Sequence, residues 1–142
     1  MPKNTNAQGR RENTPYIMLI NPVFDSPAFQ DLSGGAVQTY LMLIRRFNGL
    51  NNGEISLSCR EVAEYFGIGK GTASKKLEEL QMHGFITCME KGRFTRKMAT
   101  VWKLNHLPTS SDYGKHIPPT NEWKQYDSSL KQVPNIELKV PI

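Results

Sequence analysis

The stretch that most constrains this chain runs from Ser58 to His83, SCREVAEYFGIGKGTASKKLEELQMH, and it reads as two short helices joined by a tight turn. Ser58 followed three residues later by Glu61 is a capping box. The Ser hydroxyl can accept from the Glu61 backbone N–H while the carboxylate reaches back to the N–H of Ser58. A helix therefore begins at Cys59, with Val62, Ala63 and Phe66 on one face at helical spacing. Gly67 stops it, because glycine takes the left-handed conformation without a Cβ penalty. Ile68 is the buried turn residue and Gly69 the N-cap of a second helix. Ala73, Leu77 and Leu80 make the inward stripe of that helix, which turns Lys70, Thr72, Ser74, Lys75 and Lys76 outward or toward its N-terminal end. Small, hydroxylated and cationic side chains of this kind suit phosphates and base edges. The plainer alternative is a helical hairpin whose paired lysines are only a solvated face.

Charge placement bears on that choice. The 142 residues carry a formal charge of +5, and between Ile55 and Leu104 nine Lys or Arg face five acids, so most of the excess lies beside the helix pair. A chain of this length holds one core of ordinary size plus tails. Cys59 and Cys88 have neither zinc-site spacing nor the density of a disulfide scaffold, so both read as reduced thiols in a cytoplasmic protein. His83, His106 and His116 stand on unlike elements without a ligand partner, and no metal or cofactor is expected. His83 is assigned to favourable interaction with the C-terminus of its helix. The N-terminus lacks the apolar core of a signal peptide, and the run from Tyr16 to Phe24 is too short to span a bilayer.

In chain order, residues 1–14 form a polar basic arm expected to be disordered when free. Tyr16 to Ile20 is a short apolar run, a strand or an extended segment that closes the core. Ser33 caps a first long helix whose apolar face includes Ala36, Val37, Tyr40, Leu41, Leu43, Ile44 and Phe47, with Asn48-Gly49 as its stop. Met42 and Leu43 are surplus apolar residues that could serve a dimer contact. Glu54 to Leu57 alternates as a very short strand. Gly84 stops the second helix of the pair, and Phe85 to Glu90 and Ala99 to Leu104 have strand composition around the basic loop Lys91-Gly92-Arg93-Phe94-Thr95-Arg96-Lys97-Met98. Residues 108–142 read as an extended tail whose Tyr113, Trp123 and Tyr126 dock back onto the domain or onto a partner. Ile136 to Val140 could add a strand at a sheet edge.

The order helix, short strand, helix, helix, strand, basic loop, strand resembles the winged helix-turn-helix group of bacterial DNA-binding proteins. It is similar in wording to small bacterial members carried on mobile elements, described as regulators or replication-associated proteins. The resemblance covers about Tyr16 to Leu107. It implies an α+β fold, a three-helix core with a small antiparallel sheet and wing over residues 15–107. The second helix of the pair would then lie in a major groove of double-stranded DNA, with the wing on flanking backbone or minor groove. Thr72, Ser74 and Lys75 are assigned to base edges, Lys70 and Lys76 to phosphates with Gly71 allowing close approach, and Lys91, Arg93, Thr95, Arg96 and Lys97 to the wing. Ser58 and Arg60 add contacts at a helix start.

The expected function is a sequence-specific transcriptional regulator, a repressor acting by occupancy, as a homodimer on an inverted repeat and without a membrane or small-molecule effector. Two alternatives stay open: a plasmid or phage replication or maintenance protein binding origin repeats, and a winged-helix protein-interaction module. An enzyme is not expected, because no catalytic constellation stands in a suitable context. Gly69-Lys70-Gly71-Thr72 lacks the earlier glycine and the preceding strand of a phosphate-binding loop.

Overall fold

The structure, a computed structural model, describes residues 14–90, 99–110 and 114–138. Among these residues the fold is mixed α and β: five α-helices, a three-stranded antiparallel sheet, a two-stranded hairpin and one 3-10 turn. Two single-turn helices, α1 (Asn21–Phe24) and α2 (Pro27–Gln30), are each opened by a proline in the first turn, where the missing N–H costs nothing. Ser26 caps α2 by accepting from the Phe29 N–H at 3.2 Å.

The first long helix, α3 (Gly34–Arg46), starts where the sequence places it. The Ser33 hydroxyl accepts from the Ala36 N–H at 3.2 Å. It ends at Arg46, with Phe47 already extended, so the stop falls just before Asn48-Gly49. Leu43 is wholly buried and so is not surplus for a dimer contact, while Met42 is half-buried against the core.

After the short strand β1 (Ile55–Ser56), helices α4 (Cys59–Phe66) and α5 (Lys70–Met82) follow with Gly67 in the left-handed region between them. Strands β2 (Ile86–Glu90) and β3 (Val101–Leu104) complete the sheet in the order β1-β3-β2. Ile55 and Cys88 both pair with Trp102, and Ile86 pairs with Leu104, so one sheet face is apolar. That face meets α3 and α5 through Tyr40, Leu77, Leu80 and Phe85, and Trp102 secures it by donating its indole N–H to the Leu57 carbonyl at 2.9 Å. Asn52, also buried, donates to the Leu104 and Leu107 carbonyls and accepts from the Leu104 N–H, tying the loop before β1 to the end of β3.

The core crosses residue 107. Beyond it come a small hairpin, β4 (Thr109–Ser110) with β5 (His116–Ile117), and a 3-10 turn at Glu122–Gln125. Trp123 is buried and stacks on Phe85, with ring centroids 6.4 Å apart. Tyr126 stacks on His83 and donates its hydroxyl to Asp31 at 2.7 Å. Two of the three tail aromatics therefore dock in cis; Tyr113 lies outside the described residues. Gly84, at φ +85°, is what allows this docking. A Cβ there would stand 2.7 Å from the backbone of both Glu122 and Trp123.

Three expectations are corrected. Tyr16 to Ile20 forms no strand and does not close the core: Leu19 alone packs against it, while Tyr16 and Met18 are 83% and 62% exposed. His83 is the C-cap of α5, but its ring finds its partner outside that helix. It is buried, and its Nδ1–H donates to the Ala28 carbonyl at 2.8 Å, because α2 crosses over it. Ile136–Leu138 lie in no strand, and 139 and 140 fall outside the described residues.

Candidate nucleic-acid interface

The helix pair is positioned by local chemistry that the sequence states openly. Ser58 accepts from the Glu61 N–H at 3.1 Å, and the Glu61 carboxylate returns to the Ser58 N–H at 3.4 Å. The same carboxylate pairs with Arg46 of α3 at 2.6 Å, and Arg46 also donates to the Ser56 carbonyl at 2.6 Å. The end of α3, the end of β1 and the start of α4 are thus joined by one guanidinium. Ser58 spends its hydroxyl inside this cap, whereas Arg60 is exposed.

On α5 the inward stripe is Ala73, Leu77 and Leu80, joined by Gln81, an amide that apolar spacing alone does not reveal. Lys70, Gly71, Thr72 and Lys75 are exposed over the first two turns. The other two assigned residues on α5 are turned inward. Ser74 is half-buried and stands beside the thiol of Cys59, the first residue of α4. Burial pushes the Cys59 thiol above its ordinary value, and the Ser74 contact and the nearby Lys70 charge only partly offset that. Lys76 lies across Gly35, and its ammonium donates to the Ser33 hydroxyl at 3.1 Å. Ser33 in turn donates to Glu79 through its hydroxyl at 2.9 Å and its backbone N–H at 2.7 Å. Lys76 and Glu79, one helical step apart, therefore clamp α5 onto the N-terminus of α3.

Gly71 meets no heavy atom within 4 Å of an ideal Cβ, so nothing inside the fold asks for glycine there. Tyr65 is an exposed aromatic that the sequence reading passed over; it stands edge-on to Phe66 just before the Gly67 turn. At about 100° per residue, its place next to Phe66 on the apolar stripe puts it on the open face, which was the available signal.

The open end of α5 and the root of the basic loop meet the same short segment. The Leu57 N–H donates to the Thr100 carbonyl at 2.9 Å, two residues after the loop, and Cys59 touches Ser74. Lys91, Arg93, Thr95, Arg96 and Lys97 themselves lie outside the described residues. The docked tail sits at the opposite end of α5, where the Val133 N–H donates to the Met82 carbonyl at 2.8 Å. A helix of 13 residues is about 20 Å long, so the described part of the tail is docked away from the first turns. Among the described residues no cluster of His, Cys, Asp or Glu is arranged to hold a metal ion, and no helix is long and apolar enough to cross a membrane. Comparison of the chain with known protein families, with curated proteins and with solved structures finds no match.

Proposed function

We propose that this chain is a winged helix-turn-helix protein that binds double-stranded DNA in a sequence-specific way and regulates transcription by occupancy, as a dimer on an inverted repeat. The observation that carries the reading is the first two turns of α5: Lys70, Gly71, Thr72 and Lys75 stand exposed, with the chain's own tail packed at the far end of the helix. Thr72 and Lys75 read base edges, Lys70 takes a phosphate, and the cations between β2 and β3 reach flanking backbone. Lys76, held by Ser33, positions the helix rather than reading sequence, and Ser74 is half-buried beside Cys59. Arg60 and Ser58 mark the start of α4, where Arg60 is free to add a phosphate contact.

The test is selection of bound fragments from random duplex DNA. Wild type should enrich a motif, with an affinity that falls steeply as salt rises because several cations displace counterions. Lys75→Ala should relax the preference at one position at a cost of about 1–3 kcal/mol, whereas Arg93→Ala should weaken all sequences alike. A wild-type protein that enriches nothing and shows no salt dependence would leave protein binding as the better account.

Gly71 supplies a second, independent measurement. Gly71→Ala should raise the unfolding free energy by up to about 1 kcal/mol, since alanine fits the open helical position and restricts the unfolded chain. On the proposed reading it should also lower duplex affinity by about tenfold, because the added methyl lies where a phosphate backbone approaches. Stabilisation with undiminished affinity would remove Gly71 from the interface.

A further inference from the structure

The open side of α5 carries one carboxylate that the fold does not employ. Helical spacing puts Glu78 about 20° from Gly71 and about 60° from Lys75, and about 100° or more from each of the buried Ala73, Leu77 and Leu80. Glu78 is half-buried, yet its carboxylate makes no hydrogen bond and no ion pair with any described residue, Lys75 included. The other acid of α5, Glu79, is held by Ser33. Lys70 and Glu78 act with opposite sign on the Cys59 thiol, so the free carboxylate lies on the flank of α5 that faces the start of α4. It therefore stands among the exposed side chains assigned to the duplex, as their one negative charge.

A carboxylate on a surface that meets a polyanion repels phosphate, and toward a base edge it can only accept, so it needs an amine. The major groove offers two, cytosine N4 and adenine N6. Adenine sets its N7 acceptor beside the amine, where it opposes the second carboxylate oxygen, whereas cytosine shows its amine with no acceptor on the same base. We infer that Glu78 is a specificity-determining residue of this face, accepting a hydrogen bond from the N4 amine of one cytosine and disfavouring duplexes that lack it. The inference rests on the duplex reading and narrows its substrate to sites with a cytosine at a fixed offset. Glu78 lies about 4.5 Å along the helix from Lys75, against about 3.4 Å per base step, which puts the cytosine one or two pairs from the position Lys75 reads. A neutral residue at 78 would bind all duplexes more tightly; the acid gives up that affinity for discrimination.

The test is selection from random duplex DNA with wild type, Glu78→Ala and Lys75→Ala, the last marking the position that Lys75 reads. Wild type should enrich a cytosine one or two pairs from that position. In Glu78→Ala the cytosine preference should fall by about tenfold or more, while affinity for duplexes lacking it rises, because a like charge facing the phosphates is gone. The urea midpoint of Glu78→Ala should not fall, since the carboxylate has no partner in the fold and alanine suits a helix. In a second arm the cytosine of the motif is replaced by 2-pyrimidinone, which lacks only the N4 amine. Wild type should lose about tenfold more affinity on this duplex than Glu78→Ala does, a coupling that a merely structural role would not produce. A motif without that cytosine, a preference kept by Glu78→Ala, or equal losses on the 2-pyrimidinone duplex would each overturn the assignment and leave the duplex reading standing. If Glu78→Ala fails to fold, the wild type decides: replacement at this cytosine must cost more than the same replacement at another cytosine of the motif. A wild type that enriches no motif removes both readings.

Discussion

Trp123→Ala is expected to lower the unfolding free energy by about 3–5 kcal/mol, the range for deleting a buried aromatic side chain, although the residue sits in a segment whose composition reads as a tail. Its indole stacks on Phe85, which itself meets Tyr40 and Phe29 edge-on, so the ring closes an aromatic cluster at the centre of the domain. The turn that carries it is held from below by Asn105. That residue accepts the Asn121 N–H on its carbonyl at 2.9 Å, donates its side-chain amide to the Gly84 carbonyl at 2.9 Å, and accepts the Thr87 hydroxyl at 3.0 Å. A domain stable by only about 5–15 kcal/mol in total loses a large share of that with one ring. Gly84→Ala should cost a comparable amount without deleting an atom, because the new Cβ strikes the backbone under Trp123 at a positive φ. Urea unfolding followed by circular dichroism measures both. A loss below about 1 kcal/mol for Trp123→Ala would mean the tail is an attachment and not part of the core.

What the sequence made legible is what short-range chemistry decides. The Ser58–Glu61 box, the left-handed Gly67, the Gly69 start and the Ser33 cap each involve residues no more than four apart, and each is found where the spacing puts it. The assignments that moved depend on partners far along the chain. Lys76 and Ser74 have the right types for an exposed cationic helix start, but Ser33 lies 43 residues from Lys76, and Cys59 belongs to the preceding helix. Periodicity fixes the side of a helix a residue stands on, not which neighbour its flexible end will reach. The same limit explains Trp123 and Tyr16. An isolated tryptophan among prolines and serines carries no period, and an apolar run such as Tyr16 to Ile20 does not say whether its own core will cover it.

This sorting narrows the candidate surface and strengthens its logic. Lys70, Gly71, Thr72 and Lys75 stand exposed, while Ser58 caps α4 and Lys76 ties α5 to the start of α3. A rigid frame behind a small polar edge lowers the entropy that binding must overcome. On the proposed reading, substitutions in the frame would weaken every duplex alike by misplacing the helix, and those at the edge would change which duplex is preferred.

Acid should destabilise the protein through His106, and the effect should approach that of removing Trp123. The ring is buried between α3 and the end of β3, where its Nδ1 shares a hydrogen bond with the Tyr40 hydroxyl and its Nε2 has no partner among the described residues. Burial lowers its pKa to about 4 from an ordinary 6.5, and the same desolvation holds the Tyr40 phenol well above its usual value, so the pair is neutral in the folded state. Between those two pH values the unfolded chain binds the proton and the folded one does not. The contribution is therefore fully present above pH 6.5, is lost as pH falls toward 4, and changes no further below it. At 1.36 kcal/mol per unit, the unfolding free energy at pH 4.5 should be about 2.5 kcal/mol lower than at pH 7 from this residue alone. His106→Gln, which retains a hydrogen-bonding group beside Tyr40, should be less stable than wild type at pH 7 yet lose less than about 1 kcal/mol over the same interval. Urea unfolding of both proteins at the two pH values decides it, and equal acid losses would move the titration to another group.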